Sequence, residues 1–311
     1  VKDFGILDRD LNPIPKPRDL DLIGRLHQTR AMAKDLFLKV RSHDTGSFRG
    51  ERGEERARAL LASDLGRLKE LHSRLVADGT RSVFVVLQGM DASGKDGLVR
   101  HLCQALNPHG VRAHSLKAPN ELERRHGFLW RVHLLAPAAG GIAILNRSHY
   151  EEVTTVRVHP EFLDSQALPK QLRRNLSRLF ADRFRQINDF ERYLSENGTL
   201  VVKYFLHISQ DEQRERLLER LDQAEKNWKF NENDLKTRAL WSRYQTVWEE
   251  AIEKTSSKSS PWVIVPADRK WYRNFFVTRD LIQRLERLDL RYPKIDPVSI
   301  KRLKRELGGQ A

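Results

Sequence analysis

Val83-Phe84-Val85-Val86-Leu87-Gln88 runs without a break into Gly89-Met90-Asp91-Ala92-Ser93-Gly94-Lys95-Asp96-Gly97. The apolar run predicts a strand buried on both faces, and the glycine-bearing stretch behind it predicts a tight turn opening a helix. From Gly89 to Lys95 the spacing is that of a Walker A phosphate loop, placed where such a loop must lie, between strand and helix. The glycines let the backbone curl so that successive N–H groups point at one phosphate. Lys95 adds a cation, and the helix behind it adds the partial positive charge of its N-terminus. A glycine-rich turn that binds nothing is the bland alternative; the intact Gly94-Lys95 pair behind a strand disfavours it. After Lys95 stands Asp96, not the usual Ser or Thr whose hydroxyl holds magnesium. Metal binding then falls to carboxylates, and Asp91 inside the loop makes sense beside phosphates if a divalent cation lies between them.

Outward from this loop, further short apolar runs at residues 111–116, 142–145, 200–208 and 262–265 alternate with helical patterns at about 95–106, 121–135, 170–196, 211–223, 234–254 and 271–288. That alternation predicts an α/β domain with a five-stranded parallel sheet flanked by helices. Before it, Leu60, Leu61, Leu65, Leu68, Leu71 and Leu75 recur at helical spacing, ended by Asp78-Gly79. We expect an N-terminal arm and helical extension over residues 1–80, a core over 81–292 with a lid at about 209–232, and a weakly specified tail over 293–311.

The 311 residues can bury a full core, and mixed charge at 32% of the chain implies solvated helices rather than disorder. With one cysteine, Cys103, there is no internal disulfide framework and no cysteine-based zinc site. No run reaches the ~20 apolar residues that cross a bilayer, and the opening residues show no secretion segment, so the cytoplasm is the expected compartment. The net charge of +14 and a pI near 10.0 concentrate polyanions, whether nucleic acid, anionic membrane or polyphosphate.

The variant loop resembles that of the polyphosphate kinase 2 family. Ile142-Ala143-Ile144-Leu145-Asn146-Arg147-Ser148-His149-Tyr150-Glu151-Glu152 is similar to the Walker B region of that family. Lys117-Ala118-Pro119, Phe128-Leu129-Trp130-Arg131, Trp228-Lys229-Phe230 and Pro266-Ala267-Asp268-Arg269-Lys270-Trp271 also resemble family segments, in the right order from about 82 to 275. The resemblance implies a P-loop kinase fold with a helical lid, and reversible transfer of a phosphoryl group from inorganic polyphosphate to AMP or ADP, giving ADP and ATP with Mg2+ as cofactor. Asn146, where other members carry Asp, resembles the subgroup that uses both AMP and ADP. Family members are often tetramers built from dimers, which implies a homo-oligomer, tetramer or dimer, with neither nucleic acid nor membrane as partner.

Phosphoryl transfer needs positioning and charge neutralisation more than covalent chemistry. Asp91, Lys95, Asn146 and Arg147 are the catalytic candidates. Lys95 and the loop residues Gly89, Ala92, Ser93, Gly94, Asp96 and Gly97 would hold a phosphate. Asp91 with Glu151 or Glu152 would hold magnesium. Asn146 would orient a metal-bound water or the acceptor phosphate, and Arg147 could clamp a phosphate bidentately. Lys117, Arg131, Tyr150 and the lid arginines Arg214, Arg216 and Arg220 are further phosphate or nucleotide contacts; for Arg131 and the lid arginines a solvated helix face is the competing reading, for Tyr150 a core cap. Trp228, Trp241 and Trp248 read as core or hinge packing before base-stacking platforms. An ATP-dependent nucleoside monophosphate kinase is the nearest alternative, but ATP does not need so basic a surface. A nucleic-acid-dependent ATPase would carry Ser or Thr after Lys95, and a non-catalytic basic scaffold leaves the loop unexplained.

Overall fold

The computed structural model describes residues 51–308, so the first 50 residues of the expected N-terminal arm and helical extension lie outside the described residues. The five apolar runs form β1 (Ser82–Gly89), β2 (Val111–Ser115), β3 (Ile142–Asn146), β4 (Thr199–His207) and β5 (Trp262–Pro266). All pair in parallel, in the order β2-β3-β1-β4-β5. Parallel neighbours need crossovers, and here helices supply them on both faces. Residues 83–87 of the central β1 are fully buried, and Val86 pairs with Leu145 on one side and Lys203 on the other. β2 differs from the buried strand expected: it is the sheet edge, and its side chains are half-buried or exposed. Strand order reverses about β1, which places the loop after β1 at the carboxyl-end crevice where open α/β sheets bind ligands.

The longer helices are α1 (Glu51–Asp78), α2 (Lys95–Cys103), α3 (Leu176–Glu196), α4 (Gln210–Asp222), α5 (Glu232–Ala239), α6 (Trp241–Thr255), α7 (Lys270–Glu286) and α8 (Pro297–Gly308). Leu68, Leu71 and Leu75 of α1 belong to the same core as β1. Asp64 and Arg67 of α1 pair with Arg279 and Glu286 of α7 at 2.7 and 2.9 Å. Three expected helices are broken. Residues 121–135 hold only the single turns Glu121–Arg124 and Trp130–His133, on either side of Gly127. The pattern over 170–196 stops and restarts at Asn175, whose side chain accepts the Arg178 N–H and caps α3. The pattern over 234–254 divides into α5 and α6 at Leu240. The tail, weakly specified in sequence, forms α8, exposed along almost all its length.

Beneath the carboxyl end of the sheet lies a buried polar cluster. Lys203, fully buried on β4, donates to Glu191 of α3 at 2.5 Å, to Tyr150 at 3.1 Å and to the Thr255 carbonyl at 2.7 Å. The Tyr150 and Ser260 hydroxyls also donate to Glu191, at 2.6 and 2.9 Å. Burial works against the ionised Glu191, but the Lys203 charge beside it holds its carboxyl below the usual range. The cluster ties the turn after β3 to β4, α3 and the end of α6. Glu191→Gln leaves a buried ammonium without its counter-charge, and urea denaturation at neutral pH should read a loss of ~3–5 kcal/mol. A loss below ~1 kcal/mol would mean that the pair contributes no more than a surface one.

Candidate active site

The phosphate loop follows from where β1 ends. Gly89 has φ +149°, and a Cβ there would lie 2.5 Å from the Leu206 carbonyl of β4, so only glycine fits. Gly94 caps α2 in the left-handed region at φ +94°, and Ala92 also sits there, at φ +62°. A non-glycine residue held in that region is a strained position of the kind concentrated at functional sites.

Lys95 is 8% exposed. Its ammonium turns back on the loop, donating to the carbonyls of Gly89 at 2.7 Å and Met90 at 3.2 Å and to the Ser93 hydroxyl at 3.5 Å. Burial, and then the nearby Arg147 charge, pull its pKa down to about 8. Asp91 pairs with Arg147 at 3.0 Å, and the Asn146 amide donates to the Asp96 carboxylate. The turn after β3 places Arg147 at φ +63°, its N–H on the Leu87 carbonyl of β1. The loop after β1 and the turn after β3 are thus joined by two side-chain contacts, and Asp91, Lys95, Asp96, Asn146 and Arg147 lie together.

They line a cleft of about 790 Å³ with Ala92, Ser93, Gly94, Gly97 and Lys117. Ten Lys or Arg residues line it against four Asp or Glu. Several were invisible in the sequence as site residues: Arg100 on α2, Lys226 and Lys229 before α5, Asp234 on α5, and Lys270 and Arg273 on α7. Trp228 also lines the cleft and is 78% exposed, against the packing role expected of it; Trp241 and Trp248 are buried as expected. Burial, and then the Asp91 charge, raise the Asp234 carboxyl above its usual range.

Other expected residues take different places. Tyr150 is fully buried and its hydroxyl is committed to Glu191, so it caps the core rather than meeting a ligand. Glu152 is 4% exposed and held by Arg183 at 2.9 Å and Gln166 at 2.8 Å, which removes it from the metal candidates. Arg131 donates to the Lys117 carbonyl at 2.9 Å and to Glu123 at 3.3 Å; it lines a separate cavity with Arg183 and Phe128. Arg214 is exposed and pairs with Glu215, outside the cleft. Arg220 reaches the cleft paired with Asp234 at 3.0 Å. Arg216 lies at the cleft, but its guanidinium is bound to the carbonyls of Ala92, Ala267 and Asp268 and to Glu212. With Gln213, which donates to the Asp91 carbonyl at 3.0 Å, it docks the start of the expected lid onto the loop.

Among the described residues, no group of three or more His, Cys, Asp or Glu is arranged to hold a metal ion. Asp91 lines the cleft, while Glu151, outside its lining, accepts from the Thr155 hydroxyl and acts electrostatically on Lys95. One or two carboxylates with the balance supplied by phosphate oxygens is the donor set magnesium takes in such sites, and these residues fit it.

The sequence profile described as Polyphosphate kinase 2 matches residues 51–293. The chain is 45% identical over 258 residues to the AMP/ADP-polyphosphate phosphotransferase of Meiothermus ruber, covering 83% of this chain and 91% of that one. It is 42% identical over 251 residues to the ADP-polyphosphate phosphotransferase of Rhodopseudomonas palustris, covering 80% and 86%. The crystal structure of polyphosphate kinase 2 from Arthrobacter aurescens superposes with a TM-score of 0.75 at 38% identity, over 85% of this chain and 90% of that one.

Because Lys95 is charged only below a pKa of about 8 in the ligand-free protein, its attraction for phosphate is complete under mildly acidic conditions and is lost as pH rises through 8. Titration calorimetry with tripolyphosphate from pH 6.5 to 9.5 should show affinity falling above pH 8. A flat profile in wild type, or one unchanged in Lys95→Met, would show that Lys95 is not the group responsible.

Proposed function

The chain belongs to the polyphosphate kinase 2 family, and on that premise we propose that its P-loop cleft transfers a phosphoryl group reversibly between inorganic polyphosphate and AMP or ADP, forming ADP or ATP. The observation that carries this reading is the excess of ten cationic over four anionic residues around one phosphate loop. A linear polyanion bearing about one charge per phosphate needs such a channel; a nucleotide alone does not. An ATP-dependent nucleoside monophosphate kinase would share the loop but leave most of those cations without work.

In the forward direction a terminal phosphate oxygen of AMP or ADP attacks the terminal phosphorus of the chain. The bridging P–O bond breaks, and polyphosphate leaves one unit shorter. The attacking oxygen is already ionised at neutral pH, so no general base is required. Lys95 and the loop N–H groups hold the phosphate that carries the developing charge. Arg147 leaves Asp91 to take a phosphate, and Asn146 orients the acceptor. Asp91 and Glu151 would hold Mg2+ together with phosphate oxygens, and the ion would supply charge neutralisation when bound. Residues 209–232 act as the lid, hinged beyond the docked first turns of α4. The working protein is a cytoplasmic homo-oligomer, dimer or tetramer; no helix among the described residues is long and apolar enough to cross a membrane.

The test is an assay of purified protein with magnesium and polyphosphate, offering AMP, ADP or GMP separately. Absence of nucleotide product from every mixture refutes the reading. Lys95→Ala should cost at least ~100-fold in rate, because a positioned cation contributes a few kcal/mol to the transition state; near-normal turnover would remove the loop from the chemistry.

A second variant addresses nucleotide choice. Asn146→Asp sets a carboxylate against Asp96, where the native amide donates a hydrogen bond. Repulsion between the two should draw magnesium closer, shift the acceptor and narrow use to one nucleotide, changing the AMP-to-ADP rate ratio about tenfold. An unchanged ratio, whatever the overall loss, would deny Asn146 a part in selection.

A further inference from the structure

Arg273 stands apart from the other buried or half-buried arginines of the cleft. Only 3% of it is exposed, and among the described residues no carboxylate forms an ion pair with it. Its guanidinium donates to the Gly94 carbonyl at 3.1 Å and to the side-chain oxygen of its neighbour Asn274 at 3.1 and 2.7 Å, all uncharged acceptors. Its charged neighbour is a second guanidinium, Arg216. By contrast Arg147, Arg216 and Arg220 each have a carboxylate. A buried charge is tolerated when it is paired and hydrogen-bonded, and burial together with the Arg216 charge already draws Arg273 down to about 10. One backbone carbonyl and one side-chain amide hold the group in place without neutralising it.

The loop is shaped around this side chain. A Cβ on Gly94 would stand 2.0 Å from Arg273 Nη1, and one on Gly97 would stand 3.4 Å from Nη2. These two glycines therefore also leave room for a guanidinium against the opening of α2. There Arg273 faces the same cleft as Lys95, Arg100 and Lys270.

The geometry points to Arg273 as a phosphate ligand of the cleft, additional to Lys95 and the loop amides, whose counter-charge is the phosphate group of the bound substrate. The inference rests on the phosphoryl-transfer reading of this cleft. The phosphate belongs either to the polyphosphate chain or to the nucleotide; both present the same oxygens to a planar guanidinium, which binds them bidentately. Arg273 differs from a structural tie in one measurable respect: supplying a permanent counter-charge should help the empty protein and harm binding.

Asn274→Asp supplies that charge with almost no change of size, at an oxygen that already accepts two hydrogen bonds from Arg273. Thermal unfolding without ligand should shift upward by a few degrees, while calorimetry should show about tenfold weaker binding of a phosphate ligand, the loss of one charge-assisted contact. Arg273→Met should weaken the same ligand at least as much, and Arg273→Lys by less, since it keeps the charge but not the fork. Tripolyphosphate and ATP are titrated separately: weakening confined to tripolyphosphate assigns the group to the donor chain, weakening confined to ATP assigns it to the nucleotide, and weakening of both assigns it to a phosphate position the two share. If Arg273→Met does not fold, Asn274→Asp decides alone. Unchanged affinity for both ligands overturns the inference, and a lower melting temperature with unchanged affinity shows that Arg273 only braces the loop. The inference and the reaction fail separately: wild type that binds tripolyphosphate but phosphorylates neither AMP nor ADP refutes the reaction and leaves the binding result standing.

Discussion

Like charges crowded around one phosphate loop are the constraint on which the rest of this molecule turns. Two unit charges 4 Å apart repel by ~1 kcal/mol in water and by ~4 kcal/mol at a dielectric typical of a protein surface. Ten cations lining one cleft cannot be balanced by its four carboxylates. Backbone carbonyls make up part of the difference. Lys95 is held by Gly89 and Met90, and Arg216 by Ala92, Ala267 and Asp268. Carbonyls satisfy donors without cancelling charge, so the cleft remains a strong field for anions. Ala92 and Arg147 also sit in left-handed backbone beside these charges, strain that the surrounding structure must hold.

The parallel sheet provides the rigid frame for that arrangement. β1 is buried on both faces between β3 and β4, so the loop at its end cannot drift from the turn after β3. The Lys203–Glu191 pair then locks that turn from below through Tyr150. A residue that looked like a ligand contact therefore acts one layer deeper: Tyr150 sets the backbone from which Arg147 and Glu151 project. The helical side is held differently. Gln213 and Arg216 fasten the first turns of α4 to the loop, while Lys226, Trp228 and Lys229 project farther out. In the proposed lid, closure by the outer part would leave the phosphate loop undisturbed.

Sequence patterning made the strands legible because their periodicity and apolar content are local properties. All five runs became strands within a residue or two of the expected bounds. The breaks at Gly127, Asn175 and Leu240 were not legible, since helical spacing continues across them and capping or local packing decides where the chain turns. At the site, the loop from Gly89 to Gly97 announced itself through glycine spacing and its lysine, and Asn146-Arg147 through their position after a strand. Arg273 gave no local sign, being one arginine on an amphipathic helix rich in them.

The sequence by itself determined the parallel α/β architecture, the phosphate loop and the excess of positive charge, all of which are carried by neighbours in the chain or by the sum of its residues. Only the tertiary structure decided which charges serve the cleft. Glu151 and Glu152 are adjacent and identical in kind, yet one acts on Lys95 and the other is sealed against Arg183. Arg214, Arg216 and Arg220 share one helix, yet one faces solvent, one braces the loop and one reaches the cleft. The physical reason is that a charged side chain takes its role from burial and from partners brought near by the fold, and those partners lie tens to more than a hundred residues away, as Ala92 does from Arg216.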